Sequence, residues 1–132
     1  GQDVMLARPE LGNLGGVALV PLAQTQISRG QFVGWPVDVL LPPHNPISLI
    51  KVDAQGCDLR ALMGLRRTIE TWHPPILFEW EADLAKLHGD TWESVQDFFV
   101  SLPGYYRLLD QATRGYVGCW VAVPEGVEYP NA

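Results

Sequence analysis

The stretch from Ser48 to Trp80 most constrains what this chain can fold into. It holds two short apolar runs, Ser48-Leu49-Ile50-Lys51-Val52-Asp53 and Pro75-Ile76-Leu77-Phe78-Glu79, each closing on a carboxylate. Between them Leu59, Leu62, Met63, Ile69 and Trp72 fall on one helical stripe, with Arg60, Arg67 and Glu70 away from it. This pattern predicts a strand, a crossover helix and a second, parallel strand. A right-handed crossover lays the strands side by side or nearly so, with the helix on one face. Asp53 and Glu79 then stand at the C-terminal ends of parallel strands, the edge where open α/β sheets bind ligands. The competing reading gives both acids structural work, as turn caps or partners of nearby cations.

Details inside the stretch sharpen the expectation. Ser48 to Asp53 is apolar except for Lys51, as in a strand buried on both faces. Gly56 permits a tight exit, and Asp58 suits a helix N-terminus. Gly64 costs roughly 1 kcal/mol in a helix interior, and a close approach of helix to sheet would explain it. His73-Pro74-Pro75 ends the helix.

Either side of this unit the signals are shorter. Gly1 to Pro9 has no periodicity, and the glycine-rich Leu11-Gly12-Asn13-Leu14-Gly15-Gly16 neither follows a visible strand nor spells G-x-G-x-x-G. It reads as the approach to a strand at Val17–Leu22. Loose alternation from Gln24 to Leu40, including Gln31-Phe32-Val33 and Trp35 to Leu40, predicts one or two short strands, with Pro36 at an edge or bend. Three prolines between Leu41 and Pro46 make a loop. Downstream, Ala82 to His88 reads as a helical turn ended by Gly89. Asp90 and Glu93 resemble a capping box for an amphipathic helix with Trp92, Val95, Phe98, Phe99 and Leu102 on its stripe. Tyr105–Leu109 and Tyr116–Val123 read as two strands of an antiparallel hairpin, their aromatics assigned to the core.

Composition bounds the function. The chain has 132 residues, which suits one domain, and 47% hydrophobic against 18% charged residues fits a folded protein. Its net charge of −6 argues against nucleic-acid binding, which needs clustered Lys and Arg. Lys51, Arg60, Arg66 and Arg67 read as a solvated helix face rather than a phosphate site. No apolar run is long enough to span a membrane, and no basic-then-apolar leader pattern opens the residues given. Cys57 and Cys119, far apart and without C-x-x-C, read as small buried hydrophobes in a reducing cytoplasm. His44, His73 and His88 lack ligand spacing, so no metal is expected.

Several residues in order also resemble a family. Leu49-Ile50-Lys51-Val52-Asp53-Ala54-Gln55-Gly56, then Leu62-Met63-Gly64, then Pro74-Pro75-Ile76-Leu77-Phe78-Glu79 are similar to the C-terminal half of FkbM-type methyltransferases. The resemblance continues into Gly104-Tyr105-Tyr106-Arg107 and a closing strand. It implies part of a class I methyltransferase fold: a Rossmann-like mixed sheet with flanking helices and a C-terminal antiparallel hairpin. The implied activity is S-adenosylmethionine-dependent methyl transfer to a hydroxyl of a small-molecule acceptor, a sugar or other secondary metabolite. Asp53 and Gln55 take the catalytic positions, with Asp53 orienting the acceptor or acting as base. Lys51, Glu79 and Trp80 line the acceptor site. The family usually has Glu where Gln55 stands, and Gln keeps the shape and hydrogen bonding but not the charge.

The cofactor-gripping half of such enzymes carries a strand, a Gly-rich turn and a later acid for the ribose. No such set precedes Ser48, so no cofactor-binding residue is assigned and activity of this chain by itself stays open. Two expectations follow: the later part of a longer methyltransferase, lacking its N-terminal half, or a noncatalytic half-domain. The second would expose a sheet edge and form a homodimer or bind a protein partner. An unrelated small α/β domain with accidental similarity is the third.

Overall fold

The computed structural model describes the backbone of residues 2–7, 19–21 and 28–130 and the side-chain surroundings of residues 34–130. Strands β1 (Gln2–Ala7), β2 (Leu19–Pro21) and β3 (Ser28–Gly34) form a three-stranded antiparallel sheet ordered β2-β1-β3. Strand β2 is the middle of the expected Val17–Leu22 strand, and β3 spans the expected Gln31–Val33. Strand β1 carries no alternation to announce it. The glycine-rich Leu11–Gly16 and residues 17, 18 and 22 lie outside the described residues.

Val37–Leu40 is a helical turn, α1, so the alternation yields one strand, β3, of the one or two expected. Pro36 sets the entry with φ −57°, and the Asp38 carboxylate is then free to cap another helix. That carboxylate accepts from the backbone N–H of Arg67 at 2.6 Å and of Thr68 at 3.1 Å, and from the Thr68 hydroxyl at 2.6 Å. The proline-rich 41–46 segment has no regular structure, as expected.

The second sheet contains β4 (Ile50–Val52), β5 (Ile76–Glu79), β6 (Arg107–Asp110) and β7 (Cys119–Val123) in the order β4-β5-β7-β6. Strands β4 and β5 are parallel, with Ile50, Lys51 and Val52 opposite Ile76, Leu77 and Phe78. Strand β7 runs antiparallel to β5 and β6. Helices α2 (Asp58–Met63) and α3 (Arg66–Trp72) make the crossover; α4 (Ala82–Ala85) and α5 (Trp92–Val100) follow β5. The architecture is therefore α/β, a four-stranded mixed sheet with flanking helices.

Burial separates the sheet's faces. Ile50, Val52, Ile76, Phe78 and Ala122 meet Leu59, Leu62, Ile69, Val95, Phe98 and Phe99 in one core. On the other face Lys51 is exposed and Leu77 and Glu79 are half-buried, although Val121 and Val123 close that face at β7. The expectation that β4 is buried on both sides is thus corrected. Lys51 was the period-two signal of an open face, hidden in an otherwise apolar run.

The crossover is also two helices, not one. Gly64 closes α2 and Leu65 opens α3, which exposes Met63 and Trp72 and buries Leu65 instead. A Cβ on Gly64 would lie 3.2 Å from Pro36 Cα, so the close approach is to the start of α1 rather than to the sheet. His73 ends α3 in a left-handed cap, φ 44°. Thr91 and Ser94 form the capping box of α5, displacing Asp90 and Glu93 from that role; the α5 stripe itself packs as expected. In the hairpin Tyr105 and Tyr116 are exposed rather than core, while Tyr106 donates its hydroxyl to Pro74 O at 2.9 Å. Among the described residues no helix is long and apolar enough to cross a membrane.

Candidate functional site

The candidate site forms where β4 and β5 end. Beyond Val52 the chain turns through Gln55 at φ 48° and Gly56 at φ 93° into α2. A side chain at Gly56 would place Cβ 2.4 Å from Leu84 Cβ, so only glycine passes between this turn and α4. The register that sets Val52 beside Phe78 brings the next residues, Asp53 and Glu79, onto the same face. Asp53 is near enough for its charge and hydrogen bonding to act on the Glu79 carboxyl.

That proximity shapes the electrostatics. Burial, then the charge and hydrogen bond of Asp53, push the Glu79 carboxyl above the usual carboxylate range, with Glu81 and Asp58 adding to the effect. Glu81 is raised as well, by burial first and then by Asp58 and Asp53. Asp53 is held from two sides: Gln55 Nε2 donates to Oδ1 at 3.2 Å, and Lys51 Nζ lies 3.9 Å from Oδ2. Lys51, Asp53, Gln55 and Glu79 therefore come together. Gln55 arrives through the left-handed turn, because the strand itself ends at Val52. Trp80 is placed elsewhere: its ring tilts against Trp92 at 5.7 Å, and Trp92 against Trp120 at 4.3 Å, on the helix side of the sheet.

Three features escaped the sequence. Asp58, 2% exposed, accepts backbone N–H groups from both strand ends. An acid two to four residues beyond a glycine turn is a local signal for such bonding, but nothing local points to Glu79. Cys119 stands opposite Glu79 on β7, its Sγ 3.8 Å from Oε1, a pairing set by strand register alone. Cys57 Sγ lies 3.1 Å from His88 Nε2.

Both cysteines are half-buried, not core hydrophobes. Burial first, then Asp58 and Asp90, push the Cys57 thiol up to about 11 against an opposing pull from Arg60. Cys119 is raised by burial and then by Glu79. Both stay protonated at neutral pH, the inert form of a thiol. Lys51, Arg60 and Arg67 are exposed and Arg66 is half-buried, as a solvated face requires, and the arginines also act as tethers. Arg60 bonds Asp90 at 3.1 and 3.0 Å and His88 O at 2.7 Å; Arg66 bonds Glu70 at 2.7 Å and Ser101. Arg67 reaches the carbonyls of Asp38 and Leu41.

The assembled group is a carboxylate pair at a sheet rim, one member of which holds a proton more tightly than usual. Such a pair can accept hydrogen bonds and take up a proton. Among the described residues, no three His, Cys, Asp or Glu side chains gather as a metal ion would require. No family model, curated protein or solved structure matches this chain.

Proposed function

We propose that this chain is the later half of an S-adenosylmethionine-dependent methyltransferase domain of the FkbM type, serving methyl transfer to a hydroxyl of a sugar or other secondary metabolite. The observation that carries the reading is the Asp53–Glu79 pair, on adjacent parallel strand ends beside the family-like residues Lys51 and Gln55. The order β4-β5-β7-β6, with antiparallel β7 between β5 and β6, supports it, since class I methyltransferases close their sheet with such a hairpin.

The described residues fit the acceptor side of this chemistry and not the cofactor. The turn behind β4 is already filled: Gly56 lies against Leu84, and its N–H is donated to Asp58. No residue here is therefore assigned to S-adenosylmethionine. On the acceptor side, Lys51 and Gln55 fix the Asp53 carboxylate, Asp53 accepts the substrate hydroxyl, and Glu79 takes the proton that hydroxyl loses. Trp80 supports the rim through the tryptophan cluster instead of touching the acceptor. In this reading the protein works in the cytoplasm on a small molecule, and its net charge of −6 disfavours nucleic acid.

A second reading has its own observation. Strand β4 pairs only with β5 among the described strands, and Leu49 before it is 64% exposed. A noncatalytic half-sheet would use that edge to form a homodimer or hold a protein partner. Calorimetric titration with S-adenosylmethionine and S-adenosylhomocysteine, with solution mass measured on the same sample, separates the readings. Saturable binding would mean that copies of this chain assemble a cofactor site between them, and Asp53→Ala should then abolish turnover of an acceptor. A folded chain that binds neither compound would sink autonomous methyl transfer; a dimeric mass would then favour the half-sheet and a monomeric one the half that needs an N-terminal part.

A further inference from the structure

Asp58 lies behind the rim rather than in it, buried to 2% exposure at the first turn of α2. Its Oδ1 accepts from the N–H of Ala54 at 3.4 Å and of Glu79 at 3.3 Å, and its Oδ2 from the N–H of Gly56 at 3.3 Å. Each bond is slightly longer than the usual range, but together they satisfy a carboxylate that would otherwise be costly to bury. One oxygen thus bonds two separate segments. Ala54 adjoins Asp53, and the Glu79 N–H belongs to the second member of the pair itself.

We propose that Asp58 is the positioning residue of the Asp53–Glu79 pair: one side chain, through backbone amides on both strand ends, sets the spacing of the two carboxylates across the β4–β5 seam. The inference rests on reading that pair as the proton-accepting site. The bland alternative is that Asp58 matters only as a negative charge, felt by Glu79, Glu81 and Cys57 around it.

Carboxyl-carbon NMR titration of the whole chain separates the two. In the wild-type background Asp53→Asn should lower the Glu79 midpoint by removing a neighbouring charge. In an Asp58→Asn background that lowering should fall to about half or less, because the pair is no longer held at its spacing. Loss of charge alone would lower the Glu79 midpoint while leaving the effect of Asp53→Asn unchanged, and that result overturns the proposal. If Asp58→Asn does not fold, the wild-type chain still decides. The amides of Ala54, Gly56 and Glu79 should then shift with one midpoint, that of the Asp58 carboxyl; separate midpoints overturn the proposal. No cofactor enters these readouts, so failure of the methyltransferase reading appears in calorimetry and failure of this one in the titrations.

Discussion

The helix-facing side of the sheet and the rim opposite are built from the same two strands under different rules. Ile50, Val52, Ile76 and Phe78 point into the core, and the residues between and after them, Lys51, Asp53, Leu77 and Glu79, point away. The packing and the proposed chemistry therefore sit on alternate residues of one backbone. Because the period is two, either set can be altered with little effect on the other.

Phe78→Ala should break the core side hardest. The ring is 1% exposed and stacks on Phe99 at 5.5 Å, so its loss should cost about 3–5 kcal/mol in urea unfolding. The half-buried neighbour Leu77→Ala should cost less. Equal losses would mean that the faces are not distinct. Gly56→Ala tests the seam between face and rim: backbone strain plus the collision with Leu84 should destabilise by about 2–4 kcal/mol. Gly89→Ala, also at positive φ but with open space around it, should cost only about 1 kcal/mol.

Two ion pairs extend the contrast to the helices. Asp90 is 7% exposed, so Arg60→Ala leaves a buried carboxylate without its partner and should cost about 1–3 kcal/mol. The Arg66 and Glu70 side chains are 42% and 38% exposed, and losing that i,i+4 pair should cost less than about 0.5 kcal/mol. The smallest effect concerns pH. The folded chain binds a proton on Glu79 more tightly than the unfolded chain does. This linkage favours the fold at acid pH and is lost as pH rises through the raised Glu79 value. Unfolding measured across pH should therefore show wild type losing stability relative to Glu79→Gln in that window. If Glu79 accepts the proton as proposed, methyl transfer should instead fall as pH drops through the same value.

What could be read from the chain followed the range of each signal. Strands β4 and β5, their parallel pairing and the neighbouring carboxylates were legible because apolar runs ending in Asp53 and Glu79 are local patterns. The α5 stripe was legible for the same reason. The break at Gly64 was not, because the groups that meet it, Pro36 and the Asp38 N–H that donates to Gly64 O, lie on another element. Asp90 looked like a cap until Arg60 reached it from α2, leaving Thr91 to cap α5. Asp58 and Cys119 gain their places from segments distant in the chain, which no periodicity records.

One consequence of the strand order concerns how the carboxylate pair can come apart. Glu79 rides on a strand bonded on both sides, by β4 and by β7, whereas Asp53 follows a three-residue strand that, among the described strands, is bonded by β5 alone. Local opening of a sheet starts where backbone bonds are fewest. The rim is thus a vice with one fixed jaw: Glu79 stays, and any widening of the pair is the departure of Asp53.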